Sequence, residues 1–327
     1  MFSIHRGRRH VRKAAAAALA IAALALGGCS APSDPSSSTD ASHTIAISFP
    51  NYSKTPAVQI EMKAAEEEAA KQGYTLVLDD PGSDLDKQVS TIKTWIPQGY
   101  AAIVAVALDA TVMEGVAKDA VDAGVKWITY GSSLKSQSGE IDMQQEAGGR
   151  VLGELAGKWF TENLGGQGTV AILGYQQAEW ARGRVDGIKA GLAATAPAVK
   201  VVDEQDALSE TEGLDVSKNL LQAYPDLNGI LAVEDPATVG AYQALSEKNS
   251  PTMFLGGMDG TETALKAIAE GGAYRASASL DLPSIGRGMV TSAIAAATGT
   301  GDSVFKVTYT PVTPGSAELQ QALKQWQ

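Results

Sequence analysis

The chain has 327 residues, 44% apolar and 19% charged, with 26 Lys and Arg against 37 Asp and Glu and a formal net charge of −11. That length suits two domains with real cores, and the composition excludes a disordered chain or a polytopic membrane protein. The three histidines, His5, His10 and His43, all precede the first predicted strand. Ser-His-Asp triads, Cys-His pairs and HExxH zinc sites are therefore excluded from the folded body.

Arg6, Arg8, Arg9, Arg12 and Lys13 precede an apolar run from Ala14 to Leu26, which leads into Gly27-Gly28-Cys29. A basic start, an apolar stretch and small residues before a break make a secretory signal. The run falls short of the roughly 20 apolar residues needed to span a bilayer. Leu26-Gly27-Gly28-Cys29 resembles a bacterial lipobox, which implies that residues 1–28 are removed and that Cys29, the chain's one cysteine, is lipidated. Arg8-Arg9 also resembles a twin-arginine export signal, although paired arginines equally supply ordinary signal charge. Without residues 1–28, 21 basic residues face 37 acidic ones, a net charge of −16. Such a surface repels phosphate backbones, so no nucleic acid partner is expected. Residues 29–43, rich in Ser, Pro and Asp, read as a flexible tether.

From Thr44 the pattern alternates. Strands are expected at Ile45–Phe49, Thr75–Leu78, Ala102–Ala107 and Val125–Tyr130, with helical periods at 56–72, 84–97 and 111–123 between them. Glu66-Glu67-Glu68 in the first helix reads as a solvated face, since successive helix positions cannot converge on one ion. Helices follow at 144–163, 180–195, 210–224, 237–247, 261–270 and 284–298. Strands are expected at Thr169–Leu173, Val199–Val202, Gly229–Val233, Met253–Gly256, Tyr274–Leu280 and Val304–Tyr309. Continuous apolar strands alternating with helices mean parallel sheets covered on both faces. So many units exceed one doubly wound sheet, and two α/β lobes are predicted. Facing lobes would place the carboxyl ends of their strands around a cleft that closes on a small molecule.

The wording of the segments resembles the type I periplasmic binding proteins, in their ribose-binding-like branch. The resemblance is carried by Asp79-Asp80 with Asp86-Lys87-Gln88, by Gln98-Gly99-Tyr100-Ala101-Ala102-Ile103 and by Ala181-Arg182-Gly183-Arg184-Val185-Asp186-Gly187. Gly257-Met258-Asp259-Gly260 and Ile285-Gly286 continue it. It implies two doubly wound lobes joined by three crossovers, near Asp142, Asp281 and Gly301. The first lobe would be 44–141 with 282–302, and the second 142–281 with 303–327. It further implies a lipid-anchored receptor that delivers a small polar ligand to an ABC transporter permease, or presents it to a membrane kinase. A monomer is expected, with no metal and no organic cofactor.

The resemblance also assigns ligand contacts. Arg182 would grip ring hydroxyls, Asp259 would accept from them, and Glu234 would stand where relatives carry Asn. Trp180 is a candidate stacking ring, although it could equally be core, and Gln144 is counted with the contacts. The chain departs from the family at Gly131, which replaces a hydroxyl acceptor, and at Lys54-Thr55-Pro56-Ala57, which lacks two stacking rings for which Tyr52 and Tyr130 are the candidate substitutes. Leu208 and Leu280 replace an aromatic and a Gln. A polyol, an unusual sugar or an amine-bearing molecule would each suit a site so altered. Glu234 and Asp259 could in principle form a glycosidase pair, but hydroxyl acceptance explains both, and no enzymatic activity is expected.

Overall fold

In the computed structural model, which describes residues 41–245, 250 and 252–327, the apolar runs become two parallel sheets. The signal run, Cys29 and most of the tether lie outside the described residues. The chain enters through β1 (Thr44–Ser48), α1 (Pro56–Lys71), β2 (Thr75–Asp79), α2 (Leu85–Trp95), β3 (Ala102–Ala105), α3 (Ala110–Asp122), β4 (Lys126–Tyr130) and β5 (Gly139–Asp142). It continues through α4 (Gln145–Leu164), β6 (Gln167–Gly174), α5 (Glu179–Thr195), β7 (Ala198–Asp206), α6 (Glu210–Ala223), β8 (Gly229–Ala232) and α7 (Asp235–Ala244). The last elements are β9 (Phe254–Asp259), α8 (Glu262–Glu270), β10 (Tyr274–Leu280), α9 (Leu282–Thr298), β11 (Val304–Lys306), β12 (Tyr309–Val312) and α10 (Ala317–Lys324).

One sheet runs β11-β5-β4-β3-β1-β2 and the other β12-β10-β9-β8-β6-β7. All pairings are parallel except that of β12 with β10. Ile45, Ile47, Ile103 and Ile128 are buried in the first sheet, and Ile172, Ile230, Leu231 and Leu255 in the second. Aspartates cap α2, α3 and α9 by accepting from a backbone amide three residues on. Ser209 and Glu212 form a capping box at α6. No helix among the described residues is long and apolar enough to cross a membrane.

Helix α10 was not expected, and β7 and β9 run past their expected ends; three further differences bear on the architecture. The short strand β5 has only Gly139 and Ile141 buried, too little apolar signal to stand out. The single strand expected over Val304–Tyr309 is two strands in different sheets. Val304 pairs with Glu140, and the Val307 amide donates to the Asp142 carbonyl at 2.9 Å. Residues 304–306 therefore belong with the first sheet, and the third passage between sheets lies at 307–308, not near Gly301. Finally, of the acidic triplet only Glu66 and Glu67 are solvated. Glu68 is buried and hydrogen-bonded by Lys71 and Gln72.

Helices α4 and α5 pack at unusually close range. A Cβ on Gly153 would lie 2.2 Å from the Ile188 carbonyl oxygen, and one on Gly187 would lie 2.1 Å from that of Glu146. Only glycine lets the two backbones touch there. The contact holds the first turn of α4 beside the middle of α5, and so brings Gln145 to Arg184.

Candidate ligand-binding cleft

Arg184 occupies the buried face of α5, together with Ala181, Val185, Ile188 and Leu192. Its side chain is 5% exposed. Nε donates to Gln145 Oε1 at 2.7 Å, Nη1 to the Val233 carbonyl at 2.7 Å, and Nη2 to the Tyr309 hydroxyl at 3.3 Å. Nη1 also donates to Asp259 Oδ2 at 3.1 Å and lies 2.9 Å from Oδ1. The guanidinium centre is 5.3 Å from the centre of the Trp180 ring, within cation–π range. One side chain thus joins α4, α5, β12 and the carboxyl ends of β8 and β9. Burial opposes its charge, but Asp259 and Tyr309 outweigh that, and its pKa is raised.

Asp259 ends β9 at φ 93°, a left-handed value that few non-glycine residues adopt. Its Oδ1 is buried and has no aligned hydrogen-bond donor. Glu234 follows β8 at the start of α7, yet its side chain makes no capping hydrogen bond. Burial, then the charge of Asp259, pushes its pKa up. The next residue, Asp235, is fully buried but well supplied with donors. Tyr274 reaches it at 2.9 Å, Ser277 at 3.0 Å and the Thr261 amide at 2.8 Å.

The first lobe contributes Glu61 of α1 and Tyr130 at the end of β4. Glu61 is 3% exposed, and the Tyr130 hydroxyl donates to its two oxygens at 3.3 and 3.4 Å. Phe49 meets the Tyr130 ring edge-on at 5.1 Å. Burial lifts Glu61 to about 8, and the charge of Asp259 in the other lobe adds to the rise. Tyr130, which holds Glu61, is the last residue of β4, and Asp259 is the last of β9, so both stand at the carboxyl ends of their sheets' strands, where parallel sheets bind ligands.

The sequence matches the periplasmic binding protein domain family over residues 45–301. The chain belongs to the periplasmic binding protein family. A ribose import binding protein of Bacillus subtilis is 29% identical over 64% of this chain and 67% of its own length. A solute-binding protein of an ABC transporter from Mycobacterium smegmatis, crystallised with bound glycerol, superposes with a TM-score of 0.70 at 26% identity, covering 85% of this chain and 96% of that one. One from Burkholderia graminis in complex with D-arabinose gives the same TM-score at 26% identity, over 84% and 96% of the two chains.

Of the residues singled out in the sequence, Asp259, Glu234, Tyr130 and Trp180 lie in or against this network. Arg182 does not. It is exposed, and its Nη1 donates to the Gln176 carbonyl at 2.7 Å in the turn before α5. Residues two apart on a helix point to nearly opposite sides, so Arg184 faces inward and Arg182 outward. Gln144 misses by one position. It caps α4 with φ 47° and turns its side chain to Asp142, while Gln145 reaches Arg184. Tyr52, half-buried in the turn after β1, packs against the main core. Glu61 and Arg184 were missed, although both sit on the apolar stripe of their helices. Gly131 has φ 72°, so the position that lost an acceptor holds a backbone that suits glycine.

Proposed function

We propose that this periplasmic binding protein captures a small polyhydroxy ligand, a sugar or polyol, between its lobes and hands it to the permease of an ABC importer. The observation that carries the reading is Asp259. Arg184 fixes its carboxylate at a strand end, and one buried oxygen still lacks an aligned donor. A ligand hydroxyl supplies that donor, and a charge-assisted hydrogen bond of this kind contributes more than a neutral one. Glu234 and Tyr130 offer further polar contacts, and Trp180 a ring face. The relatives bound to glycerol and D-arabinose support the ligand class. Both acids act as hydroxyl acceptors, and the reading is of binding, not catalysis.

The proposal extends to the cell surface. The basic start and the lipobox-like Leu26-Gly27-Gly28-Cys29 support export and a lipid anchor on Cys29, with residues 29–43 as tether. The first lobe is assigned to 44–141 and 282–306, with β11 included, and the second to 142–281 and 307–327. Closure about the segments joining them then couples ligand occupancy to the surface the permease meets.

The test is a thermal-shift screen of purified protein against pentoses, hexoses, polyols and amino sugars. A ligand at 100 times its Kd stabilises by about 2.7 kcal/mol. Asp259→Asn is expected to weaken the hit more than tenfold. Unchanged affinity in that variant removes Asp259 from the site, and silence across all carbohydrates refutes the ligand class.

A further inference from the structure

We infer that Gln325 and Trp326, near the end of the chain, are positioning residues for ligand capture: they clamp the crossover at Asp281 and tie it to the turn that presents Asp259. The inference rests on the capture of a ligand at Asp259 argued above and adds to it two residues that act through others.

Asp259 and Gly260 turn the chain with φ of 93° and 70°. A left-handed aspartate persists only where its surroundings over-determine it. Three hydrogen bonds do so here. The Gly260 amide donates to Ser277 Oγ at 3.1 Å, and the Thr261 amide to Asp235 Oδ2 at 2.8 Å. The Gly260 carbonyl accepts from Trp326 Nε1 at 3.1 Å. The first two partners belong to β10 and to the start of α7, whereas the third comes from beyond α10.

The preceding residue holds the crossover. Strand β10 ends at Leu280, α9 starts at Leu282, and Asp281 between them caps α9 by accepting from the Ser284 amide. Gln325 Nε2 donates to the Leu280 carbonyl at 3.2 Å, and its Oε1 accepts from the Leu282 amide at 3.1 Å. A side-chain amide carries both a donor and an acceptor, and this one spans the two peptide groups that flank Asp281. Gln325 also lines two cavities, of about 230 and 560 Å³, so packing around it is loose and the two hydrogen bonds set the local geometry.

The clamp joins what the crossover separates. On one side α10 is seated by Leu319 and Ala322 among Leu265, Ile268 and Tyr274. On the other, α9 lies so close to α1 that a Cβ on Gly286 would collide with the Glu61 carbonyl oxygen. Trp326 packs against both that cluster and the main core, which includes Leu282 and Ile285 of α9. Rotation at Asp281 moves the Leu282 amide relative to Gln325, so their hydrogen bond belongs to one arrangement of the crossover and biases the equilibrium toward it. Because Gln325 and Trp326 are consecutive, a displacement of the first is passed by the second to the Gly260 carbonyl.

The experiment is amide hydrogen exchange read by NMR on the intact folded protein without ligand, followed by titration calorimetry. Each rate is taken relative to that of Ile172, buried in β6, so that a uniform loss of stability cancels. Gln325→Ala is expected to speed exchange at Leu282 at least tenfold and at Gly260 and Thr261 at least threefold. Trp326→Phe, which keeps a ring and removes the donor, is expected to speed Gly260 and Thr261 at least threefold, and it reads the same turn should Gln325→Ala fold poorly. Calorimetry with glycerol, myo-inositol, D-ribose, D-arabinose and D-glucose is expected to show at least threefold weaker binding, in both variants, of whichever the wild type binds. Unchanged relative exchange in both variants overturns the clamp. Faster exchange with unaltered affinity overturns the positioning role and leaves polyol capture standing. No binding of any of the five by the wild type overturns polyol capture and the positioning role with it.

Discussion

Replacing Glu61 by Gln tests the electrostatics of the cleft without any ligand. Glu61 is 97% removed from solvent by exposure (3% remains), and its pKa stands at about 8 against an ordinary 4.5. The native state therefore holds a proton between those values that the unfolded chain has released, and stability falls as pH rises through the window. The contribution is intact below about pH 4.5, and its loss reaches about 5 kcal/mol once both states are ionised. Glu234 and Asp235, each raised to about 7, act in the same sense over the lower part of the range. Subtracting the variant's stability from the wild type's isolates Glu61. The difference is expected to move against the wild type by about 3 kcal/mol between pH 5.5 and 8. Urea unfolding followed by tryptophan fluorescence at each pH reads it directly. A difference that stays constant with pH, or that moves in favour of the wild type as pH rises, refutes the burial argument.

Further consequences concern the frame around the cleft. Arg184→Ala leaves Asp259 without its cation and frees the Val233 carbonyl and Gln145, so a loss of about 3–5 kcal/mol is expected in denaturant unfolding. Arg182→Ala, which removes one exposed hydrogen bond to Gln176, is expected to change stability by less than about 1 kcal/mol. Equal losses in the two variants would contradict the inward placement of Arg184. Gly153→Ala puts a methyl group 2.2 Å from the Ile188 carbonyl oxygen, where both atoms are backbone-bound. Separating α4 from α5 to admit it is expected to cost at least about 1–3 kcal/mol and to lower Tm, whereas Gly115→Ala, with open space around it, is expected to be neutral or stabilising.

The strands were legible because most are buried on both faces and read as unbroken apolar runs. Where that condition fails, the reading fails. Strand β5 shows two buried residues in four, and β11 shows Val304 and Lys306 exposed. An edge strand of three residues leaves no periodicity to find, and the passage from β11 to β12 hides inside what looks like one strand. The acidic triplet was misread for the opposite reason. Glu68 falls on the same stripe as Met62, Ala65 and Ala69, and a helical wheel places it inside despite its charge.

The same stripe argument locates the chemistry better than motif matching does. Family wording directs attention to Arg182, the first arginine of the pair, but Ala181, Val185, Ile188 and Leu192 define the inner face of α5, and position 184 lies on it. Position 61 lies on the inner face of α1 beside Ala64, Ala65 and Glu68. A charged residue on an apolar stripe is either paired or shifted in pKa, because an unpaired buried charge is too costly to keep. Arg184 takes the first course through Asp259, and Glu61 takes the second. Both residues therefore announce in the sequence that something polar lies inside. Which partner each one meets depends on bringing position 184 to 259 and position 61 to 130, and that pairing is fixed only by the fold.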